Sequence, residues 1–347
     1  MLAVFFYFYA MIKFFRVYVL ILTVVYARAQ EENGLVKWMD FKQAQEANKI
    51  QQKPLLIDFY TDWCGWCRHM MKTTYADPNL AAYINTYFYP VKFNAENHDT
   101  IEYQGVKYVN KSPAKKSTHD LALKFLGQNI SYPSTVFVGN NLQYNLLTQG
   151  FMEVKKLEPL LIFMVENAFR TASYDDFDKG FQRAFYDTSM PKIRPQWHTF
   201  DELAELQKKK PRKILVNLNT GFCNSCRVMT KGTFADGDLA TYLNKNFYLV
   251  DFNAEQKNEI IFNGKKYLNN GEGGFPFHSL ALELTRKSFA IPATIILDEN
   301  YAIIDVINFY QSPQWLLKVT HFFGDNEYKK MKWDEYLKKA ETAAIKK

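Results

Sequence analysis

The chain has four cysteines, all in Cys-x-x-Cys pairs: Cys64-Gly65-Trp66-Cys67 and Cys223-Asn224-Ser225-Cys226. Three residues on a helix is about one turn, so one sulfur of each pair can close a ring on the other. Two chemistries use this spacing. A pair of thiolates can supply half of a tetrahedral zinc site, or it can cycle between dithiol and disulfide. Zinc needs two further ligands for each pair, and no His-rich segment offers them. Redox cycling needs a thiol of lowered pKa, which the unsatisfied N–H groups at a helix start provide. The run before the first pair, Leu55–Tyr60 (LLIDFY), reads as a buried strand. Cys64 then stands where strand gives way to helix. It is expected to be the exposed attacking thiolate, with Cys67 as the resolving thiol. A structural disulfide framework would scatter cysteines through the chain, and none is scattered here.

Asp58 interrupts the apolar strand six residues before Cys64. A buried carboxylate is costly, so its pKa should rise, which suits it to proton transfer. The competing reading is a hydrogen-bonded polar residue on an exposed strand face.

The second pair sits 159 residues after the first, and that offset recurs without a gap. Trp38 and Phe41 are matched by Trp197 and Phe200, and Asn94-Ala95-Glu96 by Asn253-Ala254-Glu255. His119 is matched by His278, Tyr132-Pro133 by Ile291-Pro292, and Tyr174-Asp175 by Trp333-Asp334. This is tandem duplication of a whole domain, placing domain 1 at residues 36–187 and domain 2 at 195–346, with a short linker at 188–194. In domain 1 the pattern predicts helix at 39–49, strand at 54–60, helix from Cys64 to about Tyr75, and a helix with Asp77 as cap and Pro78 first. A strand follows at 88–95, then a polar loop at 96–116 with a hairpin at Gln104-Gly105. Ser117 or Thr118 should cap a helix over Asp120–Leu126, two strands should flank Gly139-Asn140-Asn141, and 153–170 should be the final helix. Helices between early strands and a late hairpin indicate an α/β unit with a central mixed sheet flanked by helices.

Asp58-Phe59-Tyr60-Thr61-Asp62-Trp63-Cys64-Gly65-Trp66-Cys67 resembles the active-site signature of the thioredoxin family, and the element order is similar to that fold. The nearest likeness is to exported thioredoxin-like proteins with a Trp-Cys-Gly-Trp-Cys centre. The resemblance implies two tandem thioredoxin-like folds. It implies that Asp58 is the buried acid that moves the proton of Cys67, and that Tyr132-Pro133 forms a cis-proline loop opposite the dithiol. That loop would present backbone to a bound polypeptide and keep metal off the sulfurs. Ile291-Pro292 holds the same place in the second copy, and Trp63 and Trp66 line the substrate face of the first. Thioredoxins proper carry Gly-Pro between the cysteines. Gly65-Trp66 stands here, and that dipeptide tunes the balance of thiolate and disulfide.

The second copy departs further. Asn217 replaces Asp58, Gly221-Phe222 replaces Asp62-Trp63, and Phe309 replaces Gly150. Asn217 accepts no proton at ordinary pH. Cys223 and Cys226 are therefore read either as a relay at a different potential or as a residual dithiol in a partner-binding domain. His119 and His278 each stand at a helix start, where capping or local packing is the simpler role.

Lys13 and Arg16 precede an apolar run of ten residues, and Ala27-Arg28-Ala29 follows. This reads as a signal peptide over residues 1–29, cleaved before Gln30, with Met1 or Met11 as the start. The run is too short for the ~20 residues of a spanning helix. Removing Lys13, Arg16 and Arg28 lowers the formal charge from +7 to +4, and no basic stretch tracks aromatic residues, so nothing points to nucleic acid. An apolar content of 48% supports real cores. These features together predict an exported thiol–disulfide oxidoreductase, periplasmic or extracellular, needing no dissociable cofactor and no metal. Its expected partners are protein thiols and disulfides, with a membrane electron donor left open. The alternative is a non-enzymatic, chaperone-like binding module on the same fold.

Overall fold

The computed structural model describes residues 34–345 except 113, 115, 190, 192, 272 and 273. The signal-peptide reading and Pro113 lie outside the described residues. The chain divides into two compact units between Val165 and Glu166. Residues 166–187, assigned to the first copy by the 159-residue repeat, therefore lie in the second unit.

The first unit begins with helix α1 (Phe41–Ile50), strand β1 (Leu55–Tyr60) and the dithiol helix α2 (Gly65–Lys72). Helix α3 (Pro78–Tyr87), strand β2 (Tyr89–Asn94) and the hairpin β3 (Ile101–Tyr103) and β4 (Val106–Tyr108) follow. It ends with α4 (Asp120–Leu126), β5 (Ser134–Val138), β6 (Asn145–Gln149) and α5 (Val154–Val165). The main sheet runs β2-β1-β5-β6. β1 is parallel to β2 and antiparallel to β5, and β5 is antiparallel to β6, so the sheet is mixed. β1 is central and covered on both faces, hence an apolar run in place of strict alternation. Its Leu55, Ile57 and Phe59 enter one core with Phe41, Phe93 and Val136.

Helix ends follow local chemistry. Asp40 and Gln43 form a capping box on α1. Asp77 accepts from the Leu80 N–H at 2.8 Å, with Pro78 opening α3. The cap of α4 is His119, not Ser117 or Thr118: its Nδ1 accepts from the Leu121 N–H at 3.0 Å while Nε2 lies 2.9 Å from the Asp99 carbonyl. A buried imidazole thus satisfies one helix donor and one loop carbonyl together, which a hydroxyl at Ser117 or Thr118 does not do here. The expected helix over 153–170 stops at Val165, because Asn167 takes a left-handed φ of 55°; a short 3₁₀ turn, Ala168–Arg170, follows.

The second unit continues with α6 (Tyr174–Phe185), β7 (Trp197–His198), α7 (Phe200–Lys209), β8 (Lys213–Asn219) and the second dithiol helix α8 (Asn224–Val228). Then come α9 (Gly237–Asn246), β9 (Phe247–Asn253), β10 (Ile260–Phe262), β11 (Lys265–Tyr267) and α10 (Ser279–Leu284). Strands β12 (Ala293–Leu297) and β13 (Ile303–Asn308) precede α11 (Pro313–Gly324) and α12 (Trp333–Ile345). Helix α6 has no counterpart among the elements expected from the sequence. The sheet order β13-β12-β8-β9-β7 repeats that of the first unit with one added edge strand. In the first unit that edge is a single bridge, Met39 to Val91. Trp333 and Tyr336 on α12 pack against Phe322 of α11 at 5.1 Å each.

Candidate active site: two dithiols in different surroundings

Both Cys-x-x-Cys pairs are closed. The S–S distance is 2.01 Å for Cys64–Cys67 and 2.03 Å for Cys223–Cys226. Each first cysteine is the N-cap of its helix. Cys64 Sγ accepts from the Cys67 N–H at 3.0 Å, and Cys223 Sγ from the Cys226 N–H at 3.1 Å. The helix start is thereby aimed at the first sulfur of each pair, where a thiolate would be favoured. Cys64 does not have the exposure expected of it: it is 4% accessible in the closed pair. What stands exposed beside it is aromatic. Trp63 is 54% and Trp66 62% accessible. The Trp63 ring meets Tyr132 edge-on at 6.1 Å, and its Nε1–H donates to Glu96 at 2.9 Å. Trp66 leans on Phe151 at 5.6 Å. Phe151 belongs to no motif, and Glu96 stood out only as part of the repeated Asn94-Ala95-Glu96, with no role attached.

Asp58 is 1% accessible, and neither carboxylate oxygen is hydrogen-bonded. Burial raises its carboxyl to about 7, with Lys92 and the Tyr75 hydroxyl pulling the other way. Lys92 is its register partner on β2. The reading of Asp58 as a satisfied residue on an exposed strand face is thus excluded.

The Tyr132–Pro133 and Ile291–Pro292 bonds are both cis. The Pro133 carbonyl accepts from the Gly150 N–H and the Pro292 carbonyl from the Phe309 N–H, each at 2.8 Å. Both of these donors have positive φ, 90° at Gly150 and 71° at Phe309. Glycine adopts this freely, whereas Phe309 bears a left-handed cost of about 1–2 kcal/mol.

The second dithiol keeps the frame and changes its lining. Asn217 is fully buried and donates to Asp251 Oδ1 at 2.8 Å; Asn219 donates to the same oxygen at 2.6 Å. Asp251 is the register partner of Asn217, as Lys92 is of Asp58. The 159-residue offset therefore pairs Asp58/Lys92 with Asn217/Asp251, an exchange that is visible in the sequence once strand register is known. Burial raises the Asp251 carboxyl against hydrogen bonds from Asn217 and Asn219. Phe222, in place of Trp63, stays 63% exposed, while Ser225, in place of Trp66, is buried. Ile291 packs at the edge of the core of its unit. Among the described residues no group of three or more His, Cys, Asp or Glu side chains could hold a metal ion, and no helix is long and apolar enough to cross a membrane.

Comparison with known proteins agrees with this geometry. A family model described as "Thioredox_DsbH: Protein of unknown function, DUF255" matches residues 23–146 and again 186–315. No curated protein matches the chain. Among solved structures, a thioredoxin-fold protein from Helicobacter pylori is 20% identical, covering 48% of this chain and 92% of its own, with a TM-score of 0.31. A DsbH oxidoreductase is 19% identical, covering 33% and 73%, with a TM-score of 0.25. The reduced C-terminal domain of Neisseria meningitidis DsbD is 20% identical, covering 35% and 92%, with a TM-score of 0.25. Two dithiols at disulfide distance in a thioredoxin-like family support thiol–disulfide redox chemistry. The chain belongs to the Thioredox_DsbH family and carries two of its thioredoxin-like regions in tandem.

Proposed function

We propose that this chain is an exported thiol–disulfide oxidoreductase acting on protein substrates through its first dithiol. The observation that carries the reading is the exposed aromatic rim, Trp63 and Trp66, beside a Cys64–Cys67 pair at a helix start. Such a rim offers apolar surface to a polypeptide, and the helix start favours a Cys64 thiolate. In the reducing direction, Cys64 Sγ attacks one sulfur of a substrate disulfide. A mixed disulfide forms and the other substrate sulfur leaves as thiolate. The Asp58 carboxylate takes the proton of Cys67, and Cys67 Sγ attacks Cys64 Sγ. The Cys64–Cys67 disulfide forms, and the second substrate sulfur leaves and is protonated. Oxidation of a substrate runs the same steps backwards. No dissociable cofactor enters. Tyr132 and Pro133 border the polypeptide site. In the second unit Ile291 and Pro292 hold the same place, and Cys223–Cys226 is a second redox centre of lower reactivity. Export rests on the sequence pattern of residues 1–29, so the secreted chain should begin at Gln30 by N-terminal sequencing.

The test is a Cys67→Ser chain expressed in its host. Mixed disulfides should accumulate that dissolve on reduction and are absent when Cys64 is also replaced. A chain that traps nothing, and whose Cys64 alkylates no faster than a peptide cysteine, would instead be a binding module.

A further inference from the structure

The first dithiol is rimmed by open rings, whereas the second is met by a carboxylate. Glu166 opens the second unit. Its Oε1 accepts from the Asn224 N–H at 3.1 Å, and its Oε2 from the Ser225 N–H at 2.7 Å and from the Ser225 hydroxyl. The same Oε2 stands 3.8 Å from Cys223 Sγ. The residues after Glu166 hold it there. Arg170 lies over the Phe309 ring at 5.1 Å, the Thr171 hydroxyl donates to the Tyr310 carbonyl, and Phe177 meets Tyr310 edge-on at 5.0 Å. Helix α6 comes so near the dithiol helix that a methyl at Gly180 would lie 3.0 Å from Val228 Cγ1. At the position of Trp66, Ser225 both makes room for the carboxylate and donates to it.

The other charged groups of these elements are engaged elsewhere. Arg227 lies over Phe185 at 4.3 Å and Arg183 donates to the Gly232 carbonyl at 3.3 Å. Asp251 is held by Asn217 and Asn219, and Glu255 by the Gly221 N–H. Burial raises the Glu166 carboxyl against the hydrogen bonds from Ser225 and Asn224.

We propose that Glu166 is a positioning residue for the second dithiol: its carboxylate takes the first two N–H donors of the helix start, those of Asn224 and Ser225, leaves Cys223 only the Cys226 N–H, and so favours an uncharged Cys223. This rests on the redox reading of the second pair given above. A thiolate forming at Cys223 meets a like charge and finds two of the helix-start donors occupied, whereas the disulfide and the thiol are tolerated. The consequence is a second dithiol that reacts slowly near neutral pH, although it sits at a helix start as Cys64 does.

Two full-length chains test this. In one, Cys64 and Cys67 are replaced by Ser, and the remaining pair is equilibrated with glutathione. Two glutathione thiols give up two electrons and two protons to become one glutathione disulfide, and Cys223–Cys226 opens to two thiols. In the other, Cys226 is replaced as well, and iodoacetamide labelling of Cys223 is followed against pH. The inflection should lie above about 7.5, the upper end for activated cysteines. Glu166→Gln should move it down by about one pH unit, and Glu166→Asp should largely restore it. An inflection below 7 with Glu166 in place, or one that Glu166→Gln leaves unmoved, overturns the proposal. If Glu166→Gln fails to fold, the inflection of the chain with Glu166 decides alone. Failure to equilibrate with glutathione removes the redox reading of the pair and the proposal with it. Equilibration with an unmoved inflection removes only the role of Glu166.

Discussion

In the first unit Asp58 faces Lys92 across two parallel strands; in the second the same register positions carry Asn217 and Asp251. Both units keep one carboxyl in this register pair, on the strand that feeds the dithiol in the first unit and on its neighbour in the second, and its setting differs. Asp58 is buried without a hydrogen bond, and a pKa raised to about 7 leaves it divided between acid and carboxylate at pH 7. Asp251 accepts from two amides on the neighbouring strand. An unbonded buried acid is costly and can exchange a proton, whereas a carboxylate held by amides is a structural anchor. The rims differ in the same sense. Trp66 is open and Ser225 is closed under Glu166. The frame shared by the two copies fixes where the sulfurs sit. The residues around that frame decide what the sulfurs can do.

The largest effect should come from Asp58→Asn, which gives the first unit the residue of the second. Resolution of the Cys64 mixed disulfide should slow on the order of 10²-fold, as read by the decay of a trapped thiol adduct. An unchanged decay would erase the functional contrast between the units. The same variant should change stability with a definite sign. A carboxyl raised from 3.8 to about 7 is neutral in both folded and unfolded states only well below 3.8. Between the two values the folded state binds the extra proton, so stability falls as pH rises and levels off above about 7. Asp58→Asn removes this loss. It should stabilise the oxidised chain at pH 8 by up to about 4 kcal/mol, reduced by whatever the buried amide fails to bond, and not at pH 3. Denaturation at the two pH values reads the difference.

The converse exchange, Asn217→Asp, places a second carboxyl in register beside Asp251. It should destabilise the second unit by about 1–3 kcal/mol above neutral pH, and adding Asp251→Lys should recover most of that loss. No recovery would mean that the swapped pairs are not equivalent. The smallest effect tests what the units share. His119→Ala and His278→Ala each remove a helix cap and should each cost about 1 kcal/mol. Unequal costs in thermal unfolding would show that the two frames are less alike than their hydrogen bonds suggest.

The strands, the dithiol helices and the hairpin near Gln104-Gly105 were legible because apolar runs, Cys-x-x-Cys and turn residues act over a few residues. So was the burial of Asp58, an acid inside an apolar strand. Three features were legible only in part or not at all. Capping was one of the roles expected of His119 and His278, but the choice of His119 over Ser117 or Thr118 was not, because both caps are fixed by loop carbonyls, of Asp99 and Asn258, twenty residues away. The break at Asn167 is a backbone choice that an apolar helical pattern conceals. Glu166 reaches residues more than fifty positions on, through a contact with no local signature. The burial of Cys64 was not legible either, because a place at a helix start does not by itself fix how neighbouring side chains cover the sulfur.

The central claim is that two dithiols on one frame differ in reactivity because of their lining. The direct measurement is competitive alkylation of the fully reduced chain at pH 7, with both cysteine peptides quantified by mass spectrometry from the same sample. The account predicts that Cys64 is labelled at least about tenfold faster than Cys223, as expected for thiols whose pKa values differ by more than one unit. Equal rates, or faster labelling of Cys223, would contradict it.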